Sequence, residues 1–186
     1  MGFTSVTLVK EDGTGSNASA NTYASAADAD TYFSKRALSN VWFGDTDINR
    51  TMALQWATRL IDVGFEFYGR RALETQPLAW PRQEVPDRDG ALGGYLATNL
   101  VPREVVMAVC EEALQILTYG LTAPWVGVGV REIQSPAETP GSSPERIVYD
   151  ARTRLPLVPG EVRVWLRNLG RYVGLDGGTA VTLERV

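Results

Sequence analysis

Asp47-Ile48-Asn49-Arg50-Thr51-Met52-Ala53-Leu54-Gln55-Trp56-Ala57-Thr58-Arg59-Leu60-Ile61-Asp62 is the stretch that decides the fold class. Ile48, Met52, Ala53, Trp56, Ala57, Leu60 and Ile61 recur at three- and four-residue spacing, with Thr51, Gln55, Arg59 and Asp62 opposite them. That period belongs to an amphipathic α-helix, here over residues 47–63. Asp45-Thr46-Asp47 supplies the start signal, and Gly64 is placed to end the helix.

Toward the N-terminus, Ser25 is a good N-cap and Asp28 can reach back to its backbone, a variant of the capping box. The spacing predicts a helix over 26–39 with Ala29, Tyr32, Phe33 and Ala37 on one stripe. Residues 3–9 suit a short strand. Glu11 to Asn17 is a loop by composition. Toward the C-terminus, residues 64–101 hold many turn formers and are expected to form an ordered loop. Pro102 sits where a helix tolerates proline best, at its first position. That helix should run to about Tyr119, with Gly120 as its stop. Polar residues are few along it, with Glu104, Glu111, Glu112 and Gln115 among them. Such a helix is either the central element of the fold or is covered in part by a neighbouring subunit.

Beyond Trp125, residues 126–134 and 146–150 predict two strands around a hairpin tip at 135–144. A helix over 160–169 competes with a strand reading, because Val162 and Val164 alternate. Residues 174–186 suggest an extended arm. The expected fold is therefore mainly α: a small helical bundle with a β-hairpin and an extended C-terminal arm. The expected divisions are a helical core with a short N-terminal strand (1–125), the hairpin (126–159), and a short helix with the arm (160–186).

Composition narrows the function classes. The chain has 186 residues, 44% apolar and 22% charged, which is ordinary for one soluble domain. No apolar run approaches the ~20 residues of a membrane-spanning helix. The opening Met1-Gly2-Phe3-Thr4-Ser5 lacks the basic-then-apolar order of a secretory signal, so export is not expected. Cys110 is the single cysteine, so no intrachain disulfide can form, and its apolar neighbours suit a small buried hydrophobe. Histidine is absent, which removes histidine-dependent triads and histidine-based zinc sites. The net charge is −4, whereas proteins that hold nucleic-acid phosphates normally present a basic surface.

The search for reactive constellations yields little. Gly13-Thr14-Gly15 lacks the lysine of a phosphate-binding loop and the third glycine of a dinucleotide site, so a tight turn is expected. Asp45/Asp47 suit helix capping, Glu111/Glu112 the solvated edge of a helix, and Asp87-Arg88-Asp89-Gly90 a turn. No enzymatic activity, metal or cofactor is expected. Aromatics beside arginines can stack single-stranded bases. Trp80-Pro81-Arg82, with Arg70, Arg71 and Arg88, would serve that purpose. The competing reading has Trp42 and Trp56 filling the core, while Trp80 is pinned between prolines and packs its loop onto the helices.

Several motifs in order carry a family likeness. They are Glu11-Asp12-Gly13-Thr14-Gly15, Ala20 to Ser25, Ala27 to Phe33, Ala53 to Asp62, Gly69-Arg70-Arg71, Gln76 to Arg82, and Pro102 with Ala108 to Leu114. Over roughly residues 8–120 the chain resembles a tailed-bacteriophage family commonly labelled DnaT-like single-stranded-DNA-binding, whose members look like head–tail connector or adaptor proteins. The resemblance implies a structural neck protein forming a ring below the portal, usually dodecameric. Its partners would be further copies of itself, the portal protein, a downstream tail or stopper protein, and packaged DNA passing through the channel, with no membrane contact. Its place would be the virion head–tail interface, and the host cytoplasm during assembly. The alternative implied by the label is a single-stranded-DNA-binding protein of phage replication, with Arg70, Arg71, Trp80, Arg82 and Arg88 as possible contacts. The acidic balance favours a conduit over a gripping groove.

Overall fold

A computed structural model describes residues 7–88, 93–120, 132–135, 145–149, 158–173 and 181–185. It is helix-rich, with small antiparallel sheets. The first helix, α1 (Ala26–Phe33), starts at a complete capping box between Ser25 and Asp28. It is shorter than the spacing suggested. Leu38 takes a left-handed φ of 59°, which breaks the 26–39 expectation, and a second helix, α2 (Asn40–Gly44), follows. The break turns Trp42 inward. Its ring packs on Phe33 (4.9 Å between centroids), and its Nε1–H donates to Asp30 (2.7 Å).

The deciding stretch forms α3 (Asp47–Gly64), capped by the Thr46 hydroxyl accepting from the Asn49 amide. Ala53, Leu54, Ala57, Thr58 and Ile61 face the core. Trp56, expected inside, is 39% exposed, and Ile48 and Met52 also lie outward. Both faces of α3 carry apolar residues, and a period alone cannot say which one meets the core.

Residues 64–101 are more regular than a loop. They contain β1 (Phe65–Phe67), β2 (Arg70–Arg71) and β3 (Arg82–Gln83). β2 and β3 pair antiparallel, Arg70 opposite Gln83 and Arg71 opposite Arg82. The long helix α4 (Arg103–Tyr119) begins after Pro102, which is the N-cap rather than the first helical residue. It packs between α3 and α5 (Gly160–Leu166), so it is the central element of the fold.

Glu111 and Glu112, expected at a solvated edge, are both buried on α4. Glu111 is neutralised locally: its Oε1 accepts from the Tyr32 hydroxyl (2.6 Å) and from Arg36 Nε (2.7 Å). Glu112 Oε2 has no hydrogen-bond partner among the described residues. Burial pushes its carboxyl up to about 8, so it is mostly protonated at neutral pH.

The expected strand at 3–9 lies partly outside the described residues. Thr7 to Val9 are not a strand, and one parallel bridge joins Lys10 to Thr22. After α5 the chain forms β6 (Gly170–Tyr172), which pairs antiparallel with β1. Gly170 permits that approach: a Cβ there would lie 2.8 Å from the Glu66 carbonyl oxygen. Of the two predicted hairpin strands, the described parts are β4 (Glu132–Ser135) and β5 (Glu145–Tyr149), paired antiparallel; residues 126–131 and 150, and the 135–144 tip after Ser135, lie outside the described residues. Part of the expected arm is instead β7 (Val181–Arg185), paired with β5.

Candidate nucleic-acid interface

The five residues picked out by sequence separate into two groups. Trp80 is fully buried, with its ring edge-on to Phe67 (5.6 Å between centroids). Its backbone N–H donates to the Tyr23 hydroxyl (3.0 Å), and the Trp80–Pro81 peptide is cis. A base cannot stack on a ring with no exposed face, so Trp80 packs the loop onto the helices. Arg82 works toward the same end. Its guanidinium donates to four backbone carbonyls, those of Tyr68 (2.7 Å), Ala79 (3.1 Å), Phe67 (3.2 Å) and Gly69 (2.8 Å). Burial and the nearby Arg71 lower its pKa. These are carbonyls no strand partner satisfies, and a charged donor is worth more to them than a neutral one.

The network extends to Asp62 at the end of α3. Its carboxylate accepts from the Tyr23 hydroxyl (2.7 Å) and the Ala79 amide (2.9 Å). Burial pushes the Asp62 carboxyl up to about 6, against the opposing pull of these bonds and of Arg71 and Arg82. Gln76 closes the loop, its amide donating to the Leu78 (2.8 Å) and Pro81 (3.1 Å) carbonyls and its oxygen accepting from the Leu73 amide (2.9 Å).

Arg70, Arg71 and Arg88 form the second group, and all three are exposed. Arg70 and Arg71 make up β2. The turn before them depends on Gly69, at φ 68°, where a Cβ would lie 2.1 Å from the Gln83 carbonyl oxygen. Arg70 pairs with Glu84 (3.1 Å). Exposed pairs of this kind contribute little to stability, about 0–1 kcal/mol, and can exchange partners. Arg88 lies 5.3 Å over the ring of Tyr68. Tyr68 is the residue sequence reasoning missed. The signal was present, an aromatic directly before Gly69-Arg70-Arg71. The structure thus puts Arg88 over half-buried Tyr68, two residues along the chain before the exposed Arg70 and Arg71 of β2, a combination able to meet phosphate and a flat ring.

The glycine turn near the N-terminus is not a phosphate cradle. The amides of Gly13 (3.0 Å) and Gly15 (2.9 Å) already donate to Glu11 Oε1. A second exposed feature is apolar. Leu38, Val41 and Phe43 lie around α2, and Ile48, Met52 and Trp56 line the outer face of α3. Arg59 sits 5.3 Å over the Trp56 ring. Among the described residues, no cluster of histidine, cysteine or carboxylate side chains is arranged to hold a metal.

Neither a curated protein nor a solved structure shows significant similarity to this chain. A protein family described as "Putative DnaT-like ssDNA binding protein" matches residues 6–128, about two thirds of the chain, which include α1 to α4 and the arginine hairpin. The match bears out the single-stranded-DNA-binding half of the resemblance and adds nothing to the head–tail connector half. By that match, the chain belongs to the DnaT-like single-stranded-DNA-binding family.

Proposed function

We propose that the protein binds single-stranded DNA along the β2–β3 edge, through Arg70, Arg71 and Arg88 with Tyr68. The family membership carries this reading, and the exposed arginines beside an aromatic ring support it. Trp80 and Arg82 are not contacts in this account; they hold the edge in place. A chain of net charge −4 should bind weakly and with a modest salt dependence. Single strands give a slope of log affinity against log salt of about −0.7 per neutralised phosphate, so three arginines predict a slope of about −2. The test is fluorescence anisotropy of a labelled oligothymidine from low to moderate salt. Replacing Arg71 and Arg88 by glutamine should weaken binding and flatten the slope. Binding that ignores both substitutions would remove the proposal.

A second reading draws on the outward apolar residues of α2 and α3. Leu38 is 87% exposed and Phe43 51%, which suits contact with another protein surface. In this reading the chain is a head-to-tail adaptor that joins copies of itself, the portal and a tail or stopper protein in the virion neck. An acidic surface would let DNA slide past without being held. Mass spectrometry of purified virions tests it: presence of the chain at ring stoichiometry supports it, and absence removes it.

A further inference from the structure

We infer that the groove between α5 and the β1–β6 ladder is a second nucleotide-binding position, taking one phosphate and its base from a single strand; this rests on the single-stranded-DNA reading. The groove is an open, shallow depression of about 450 Å³, shaped for one unit of an extended strand rather than for an enclosed small molecule. Half-buried Tyr172 lies at its floor, backed by the buried ring of Phe65. Phe65 and Tyr172 are register partners across β1 and β6, with their rings edge-to-face at 5.5 Å. Gly170 leaves the ladder's other end without a side chain, and Val164, 58% exposed, gives the wall an apolar surface.

The cations come from α5. The Arg163 guanidinium lies 4.5 Å over the Tyr172 ring. Stacked there, its plane is fixed against the ring; Arg163 has a further interaction of its own, so the phosphate falls to Arg167. Arg167 follows four residues later, so it projects from the same side of the chain and lines the same groove. A tyrosine at the floor with two guanidinium groups on one wall matches a phosphate joined to a flat heterocycle better than it matches an apolar peptide.

Position supports the same occupant. β1 runs from the groove directly into Tyr68, Gly69 and β2, so the groove and the arginine edge are joined by the single stretch Phe65–Arg71. The six Cα–Cα steps of that seven-residue stretch span at most about 20 Å, a distance a few nucleotides can cover. α5 and β6 lie outside the matched residues 6–128, so the family description assigns this groove nothing.

The experiment uses the full chain and labelled oligothymidines at low salt, read by anisotropy. Arg167→Gln is the first variant, because its side chain is exposed and carries no packing role in the groove floor. It should keep the wild-type melting temperature, weaken binding several-fold and lower the salt slope by about 0.7. Arg163→Lys keeps the charge but loses the planar stack, and should also weaken binding. Adding thymidine monophosphate to isotope-labelled protein should shift the Val164 methyl resonances. If the wild type binds and Arg71→Gln weakens it while Arg167→Gln does not, the groove inference fails and the reading it rests on stands. If the wild type shows no binding at low salt, both fail.

Discussion

Arg71 and Arg82 face each other across β2 and β3 and do opposite things. Arg82 turns into the protein and satisfies four carbonyls. Arg71 stands in solvent. The same contrast separates Trp80, sealed against Phe67, from Trp56, which lies on the outer face of α3 under Arg59. One residue type can either hold the loop or offer itself to a ligand. What decides between them is whether unsatisfied backbone groups or free volume lie within reach. The buried member of each pair should govern stability and the exposed member binding, and that division can be broken experimentally.

The largest effect is expected at Trp80. Trp80→Ala should cost about 3–5 kcal/mol, the usual range for emptying a large aromatic site, measured by urea unfolding. Trp80→Phe should cost much less. It keeps most of the ring, and it removes an indole N–H that is buried with no partner among the described residues. If Trp80→Ala left the protein as stable as the wild type, the assignment of this loop to the core would be wrong. Arg82→Ala comes next, because it strands several carbonyls at about 1–3 kcal/mol for each that water cannot reach. Lysine should not rescue it, since an ammonium cannot span the same fork.

A pH effect of intermediate size follows from Glu112 and Asp62. Both carboxyls have folded-state values raised above their ordinary ones, to about 8 and about 6. A raised value means the folded state holds the proton more tightly. The resulting stability is complete below the ordinary carboxylate range and is lost as pH rises toward 8 for Glu112 and 6 for Asp62. The protein should therefore melt at a lower temperature at pH 8 than at pH 5. Glu112→Gln should flatten most of that slope and raise the melting temperature at pH 8. A wild-type profile that rose from pH 5 to 8 would contradict the placement of Glu112. The smallest stability effect belongs to Arg71→Gln, within about 0.5 kcal/mol of wild type, as for an exposed side chain that acts on Asp62 and Arg82 only through its charge, favourably on one and unfavourably on the other.

Much of the helical fold was legible, and the reasons for the misses are local. The period in Asp47–Asp62 and the box at Ser25 and Asp28 defined α3 and the start of α1, because both signals depend on near neighbours in sequence. The break at Leu38 was not visible. It is imposed by Trp42 packing on Phe33 and bonding Asp30, contacts that form only in three dimensions. The short strands in 65–83 escaped for the same reason: two- and three-residue ladders carry no period. Burial of Glu111 was hidden because its partners, Tyr32 and Arg36, lie 79 and 75 residues away. At the candidate site, Arg70, Arg71 and Arg88 were read as exposed cations and are so. Tyr68 was overlooked. The packing alternative for Trp80 holds, since the ring is fully buried, whereas the inward turn of Arg82 escaped because nothing in Trp80-Pro81-Arg82 announces the carbonyls waiting around it.

The most direct test of the account is the affinity of the full chain for an oligothymidine as salt is raised, with wild type beside the Arg71→Gln, Arg88→Gln pair. The account predicts measurable low-salt binding with a log–log slope of about −2 for wild type, and a weaker, flatter line for the pair at unchanged melting temperature. Absence of wild-type binding at low salt, or lines that superimpose, would contradict it.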